Sequence, residues 1–178
     1  MVLVPLEGCA PMITPGFVRM MAGYNTYMNG EVYAAAARLT EAARRVDRGA
    51  FWGSIHGTLS HLVWADQAWM SRFDGWERPS VPLKQSAAFM EDFAGMHAVR
   101  SDMDARLEAW ADGVDQDWLD DEQSWFSGAA QQTVRRPRTL LVTHMFNHQT
   151  HHRGQAHAMI TAAGERTRDT DLWLVPAA

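Results

Sequence analysis

His144-Met-Phe-Asn-His148-Gln-Thr-His151-His152-Arg-Gly-Gln155 carries four of the chain's eight histidines. Around it Leu140, Leu141, Met145, Ala156, Met159 and Ile160 recur at helical spacing, so the stretch predicts a helix. Positions four apart on a helix lie one turn above each other. His144, His148 and His152 therefore form a row, with His151 about 100° to the side of His152. Two imidazoles at i and i+4 can bind one transition-metal ion, as in helical zinc sites. Such a pair needs at least one more ligand from another element, and the rest of the chain must supply it.

Working outward, Pro137 starts this helix and Gly164 ends it. Near the N-terminus, Thr14-Pro15 reads as an N-cap followed by proline at the first helical position. From there an apolar period from Phe17 to Leu39 predicts a long first helix ending near Arg45–Gly49. A second helix begins around Gly53-Ser54 and runs through Ile55, Leu59, Leu62, Val63 and Trp69 to Phe73, stopped by Asp74-Gly75. Gln85-Ser86 opens a third, which ends near Gly113. Four amphipathic helices predict an all-α protein, a four-helix bundle forming a single domain over residues 1–178. The lead-in covers 1–13. Residues 165–178 form a tail whose Leu172-Trp-Leu-Val175 is expected to pack back onto the bundle. In the long connection between the third and fourth helices, residues 122–136 flank a small Gly/Ala turn and suggest a short β-hairpin.

Composition narrows the function. The formal net charge is −5, which gives no electrostatic reason to expect nucleic-acid binding. Arg135-Arg136-Pro137-Arg138 reads as a solvated turn and helix start. The single cysteine, Cys9, excludes an intramolecular disulfide framework and suits a reducing cytoplasm. The first ten residues lack the basic start of a secretory signal, and no apolar run is long enough for a membrane span. A cytoplasmic protein without membrane or nucleic-acid partners is the expectation. Eight tryptophans fit aromatic packing between helices or an apolar pocket beside a metal.

Metal sites in bundles are built from side chains on facing helices. The second helix offers His56 and His61, about 140° apart in rotation, so only one is expected to join the pair. His61 lies on or next to the core-facing stripe. His56, at the helix start, reads as exposed or capping. Three histidines from two helices would leave coordination positions open for water or substrate, the mark of a catalytic rather than a closed site. No Gly-rich phosphate loop, Gly-x-Ser-x-Gly elbow or Cys-x-x-Cys is present, and no Glu-x-x-His pair of the di-iron type.

Phe51-Trp-Gly-Ser-Ile-His-Gly-Thr-Leu-Ser-His61-Leu-Val-Trp-Ala-Asp66-Gln-Ala-Trp69 and the histidine-rich segment closely resemble the DinB family of damage-inducible proteins. So do Tyr24-Asn25 and Asp169-Thr-Asp-Leu172, and the resemblance covers nearly the whole chain in order. It implies a DinB/YfiT-type bundle binding a divalent metal, with Zn or Ni the first expectations. By position, the family's ligands fall on His61, His148 and His152. His144 is expected to support the ligands or pack in the core, with an alternative ligand role, His151 to support the ligands or line the rim, and His97 and His157 to be without chemistry. Asn147, Gln155 and Asp66 are candidates to hold the ligand imidazoles, since metal-bound histidines usually donate their second N–H to an oxygen. Tyr24 and Asn25 read either as pocket lining or as inter-helix packing.

Some relatives are thiol S-transferases or isomerases, and others are assigned as hydrolases. The expectation is therefore a three-histidine site that activates a low-molecular-weight thiol or water toward a small-molecule substrate. The alternative is a non-enzymatic, stress-induced protein whose metal is structural. Homodimerisation, common in the family, is expected as well.

Overall fold

Thr14 and Pro15 start the first helix as their chemistry dictates: the Thr14 hydroxyl accepts from the Phe17 N–H at 3.3 Å, and α1 spans Pro15–Ala37. This computed structural model describes residues 11–128 and 130–175. The readings placed on residues 1–10, Cys9 among them, and on 176–178 lie outside it. The first helix is shorter than the periodicity predicts. Thr40 takes extended backbone and its side chain accepts from the Ala43 N–H, restarting the chain as the short α2, Glu41–Arg45. A threonine oxygen at this position competes with helix continuation by capping a new one. Arg44 then donates to the carbonyls of Ala36, at 3.1 Å, and Leu39, tying α2 back to the end of α1.

Ser54 caps α3, Ile55–Phe73, by accepting from the Gly57 N–H at 3.0 Å. Gly57 is required there, because a Cβ would meet the Trp52 carbonyl oxygen at 2.5 Å. That close approach lets Trp52 fold over the first turn. The third helix also departs from expectation. Residues 83–88 form a 3-10 helix, and α4 begins only at Phe93, running to Gly113. Asp92 decides the boundary: its carboxylate accepts from the Gly95 N–H at 2.6 Å. Ser86 therefore turns inward, fully buried, rather than opening a helix.

After the short α5, Gln116–Asp120, the hairpin is present as read. Strand β1, Glu122–Ser127, pairs antiparallel with β2, Gln132–Pro137, from Glu122↔Pro137 to Ser127↔Gln132. Helix α6 follows directly, Arg138–Ala162, with Gly164 at φ +96° just beyond its end.

The fold is mostly helical, and its four long helices are α1, α3, α4 and α6. Helices α1 and α3 each pack against both α4 and α6, so consecutive α1 and α3 lie across the bundle's diagonal. Val18, Val32, Ile55, Leu59, Leu62, Met96, Leu107, Val142, Phe146 and Ile160 fill the centre. The tryptophans divide between the two readings. Trp76 and Trp110 are core, while Trp52, Trp64, Trp69 and Trp125 are partly exposed and line surface pockets or their walls. The tail is held through polar groups: Arg38 pairs with Glu165 at 2.6 Å and donates to the Arg166 carbonyl. Its apolar segment does not bury. Trp173 is 80% exposed, and Leu172 and Leu174 are also exposed, because the interhelical space is already filled.

Candidate metal centre

His61 on α3 and His148 and His152 on α6 meet on the facing sides of the two helices. One ring nitrogen from each lies within 4.8 Å of the others. The Nε2 atoms of His61 and His148 are 3.1 Å apart. Tetrahedral coordination with Zn–N bonds of 2.0–2.1 Å places donor nitrogens roughly 3.3 Å apart, so the spacing suits one ion. The helical row expected of α6 is present, with the His148 and His152 ring centroids 4.5 Å apart.

Two of the remaining ring nitrogens are tied down. His61 Nδ1 donates to the Ser86 hydroxyl oxygen at 2.8 Å, and His152 Nδ1 donates to Gln155 Oε1 at 2.8 Å. Gln155 Oε1 can only accept, which puts the His152 hydrogen on Nδ1 and frees its Nε2 lone pair, and the Ser86 hydroxyl can hold His61 in the same tautomer. Ser86 is itself anchored: Ser60 on α3 donates to its carbonyl at 2.9 Å and accepts from the Met90 N–H at 2.9 Å. The Trp52 ring stacks on His61 at 4.0 Å between centroids, closing one side of that imidazole to water.

Burial, reinforced by the neighbouring histidines, pushes His61 down to about 3 and His148 down to about 4. Burial also lowers His152, against the raising effect of Gln155. All three are neutral at physiological pH and able to ligate. At 3.1 Å the His61 and His148 Nε2 atoms are close enough either to share one proton or to flank one cation. The donor set thus fits a divalent metal. The open side is a pocket of about 320 Å³ bounded by Phe51, Trp52, Leu83 and His151.

Other expected residues fall differently. Gln155 holds a ligand imidazole as anticipated, and its amide nitrogen lies 3.3 Å from His151 Nε2. Asp66 does not: it is buried and bonds Arg100 at 2.7 Å and Gln149, because five residues along α3 its side chain points into the core rather than toward the histidines. Asn147 is exposed on the outer face of α6. His56 is neither exposed nor a cap. It is buried, and its Nε2 donates to the Met90 carbonyl at 2.7 Å, because residues 83–90 fold over the start of α3. His144 packs edge-on against Trp69, one turn from His148. His97 stacks on Tyr33, and His157 lies beside the tail. Tyr24 donates to the Thr170 carbonyl at 2.7 Å, and buried Asn25 accepts from Arg153. Both are inter-element contacts, away from the pocket.

Sequence reasoning missed Ser86 and Trp52 as partners of His61. Ser86 lies 25 positions from it in sequence, and no spacing rule links positions across a loop of that kind.

A mostly helical fold with a possible three-histidine metal site at one pocket defines the class. The DinB family model matches residues 12–177, and the chain belongs to the DinB family. Comparison with curated proteins finds no match. Among the described residues no helix is long and apolar enough to cross a membrane.

Proposed function

We propose that the protein is a metal-dependent enzyme in which His61, His148 and His152 hold a divalent ion, Zn or Ni, and activate a thiol or water toward a small-molecule electrophile. The observation that carries this reading is the open side of the triad. Three neutral donors leave a coordination position facing a pocket, whereas structural zinc sites are closed by four protein ligands. When bound, the ion would lower the pKa of a coordinated thiol or water and supply a nucleophile near neutral pH.

The chain's own residues do the rest. Ser86 and Gln155 orient two of the imidazoles, and Trp52 shields His61 from solvent. Phe51, Trp52 and Leu83 offer apolar surface to a substrate body. His151 borders the pocket, its Nε2 accepting from the Gln155 amide at 3.3 Å, and so presents a polar edge to whatever binds there. Neutral ligands leave the ion's full charge to act on what it binds. A cytoplasmic setting, where low-molecular-weight thiols stay reduced, fits this chemistry.

The test is His148→Ala. Purified wild-type protein should carry close to one equivalent of Zn or Ni, turn over a thiol-transfer or ester substrate, and lose both on chelation. The variant should fold with an unchanged helical spectrum and lack both metal and turnover. If metal binds but no thiol or ester substrate turns over, and stripping the metal unfolds the bundle, the site is structural and the enzyme reading fails.

A further inference from the structure

A second pocket, of about 390 Å³, lies between the outer face of α3, the loop at 78–81 and strand β1. Ala68 and Ser71 form its floor, Trp64 and Trp125 its walls, and Arg72 and Arg78 its charge. The Arg72 guanidinium is 4.7 Å from the Trp69 ring centroid and 5.6 Å from that of Trp125. Stacking on indole faces fixes the plane of a guanidinium and leaves its N–H edge free for a forked acceptor.

Among the described residues neither arginine pairs with a carboxylate. Glu122 pairs with Arg135 at 2.5 Å, and Asp74 accepts from the Trp76 indole N–H at 2.8 Å. No Asp or Glu lines the pocket. Burial, and secondarily the Arg78 charge, lower Arg72, so the two cations at this pocket repel each other without a counter-ion between them. Planar bidentate recognition of a carboxylate is what such an arginine fork does best.

We propose that this pocket binds an organic carboxylate with a flat apolar body, the carboxylate shared by Arg72 and Arg78 and the body lying between Trp64 and Trp125. Trp64 also stands beside His61, with ring centroids 6.1 Å apart. The carboxylate site thus adjoins the three-histidine site through the Trp64 ring and shares none of its ligands.

Titration calorimetry on the full chain, with and without bound zinc, tests this using indole-3-acetate and its uncharged amide as probes. Indole-3-acetate should bind about tenfold more tightly than the amide, the factor expected for a charge-assisted hydrogen bond pair. R78Q, at an exposed position, should lose that factor, R72K should lose part of it, and H148A should leave binding unchanged. Equal binding of the two probes, no binding of indole-3-acetate at millimolar concentration, or loss on H148A with R78Q unaffected would each overturn the proposal.

Discussion

Two polar clusters sit side by side in this bundle, one between α3 and α6 and the other drawing on all four long helices. One is the histidine triad. The other joins Asp66, Arg100, Asp104, Asn29, Gln149, Arg153 and Asn25, all buried. In the second cluster Arg100 bridges Asp66 at 2.7 Å and Asp104 at 2.8 Å, and Asn29 donates to Asp104 at 2.9 Å. Gln149 reaches Asp66, and Arg153 reaches Asn25. Two carboxylates face two guanidiniums, so the formal charge sums to zero. What is left over is donors: Asn25 Nδ2, Tyr33 Oη and Arg100 Nε have no partner. The triad instead gathers three neutral imidazoles around one point beside an open pocket. Surplus donors attract no cation, whereas neutral imidazoles can ligate one. The difference separates a cluster that holds the fold from one that holds a ligand.

The two are nevertheless linked by position. Asp66 follows His61 by little more than a turn of α3, and Gln149 is next to His148 on α6. The network thus pins the register in which the histidines meet. Burial works against the Arg100 charge, but Asp104 and Asp66 outweigh it and push the guanidinium above its ordinary value. Burial also brings Arg153 down to about 10, still charged at neutral pH.

The largest effect is therefore expected from the closed cluster. Asp66→Ala leaves Arg100 with one carboxylate and Gln149 with a lost acceptor, and removing one partner of a buried pair costs about 3–5 kcal/mol. Urea unfolding of the metal-free protein measures it. A loss below about 1 kcal/mol would erase the distinction drawn here. Next come the bonds that orient the ligands. Ser86→Ala and Gln155→Ala should each weaken zinc affinity by about 10- to 100-fold, measured by competition with a chelating dye. Gln155→Ala, at a half-buried position, should do so with little loss of stability. If neither changes affinity, the imidazoles are held by helix packing alone.

Much of this was legible in the sequence, and the reasons differ by element. Helix α6 could be read because its histidines obey a local period, and the hairpin because its turn residues are punctuated. The family resemblance then singled out His61. The ends of the first and third helices were misread because Thr40 and Asp92 act through single side-chain bonds that periodicity does not weigh. Ser86 and the Asp66 network were invisible for another reason. Their partners lie 25 to 128 positions away in the chain, and a lone buried Asp in a helix looks the same in sequence as one on a solvated face.

The smallest expected effect is that of pH on the metal-free protein, and the two clusters pull it in opposite directions. His61 and His148 titrate near 6.5 when unfolded but are held down to about 3 and about 4 in the fold. Below pH 6.5 the unfolded chain takes up protons that the folded one refuses. Their contribution is therefore intact above 6.5 and lost as the pH falls toward the folded values. For Asp66 and Asp104 burial is the largest influence and pushes both carboxyls up, with Arg100 opposing it. Protonation in the fold then precedes protonation in the unfolded chain, which favours the fold as acid is added. Between pH 7.5 and 5.5 the histidines act because their unfolded pKa lies inside that window, whereas the carboxyls act only from their raised folded values downward. The urea midpoint of the metal-free protein should decline across this range, and His148→Gln, with one titrating group fewer, should decline less. A midpoint that rises instead would mean that the carboxylates, not the open triad, set the acid response.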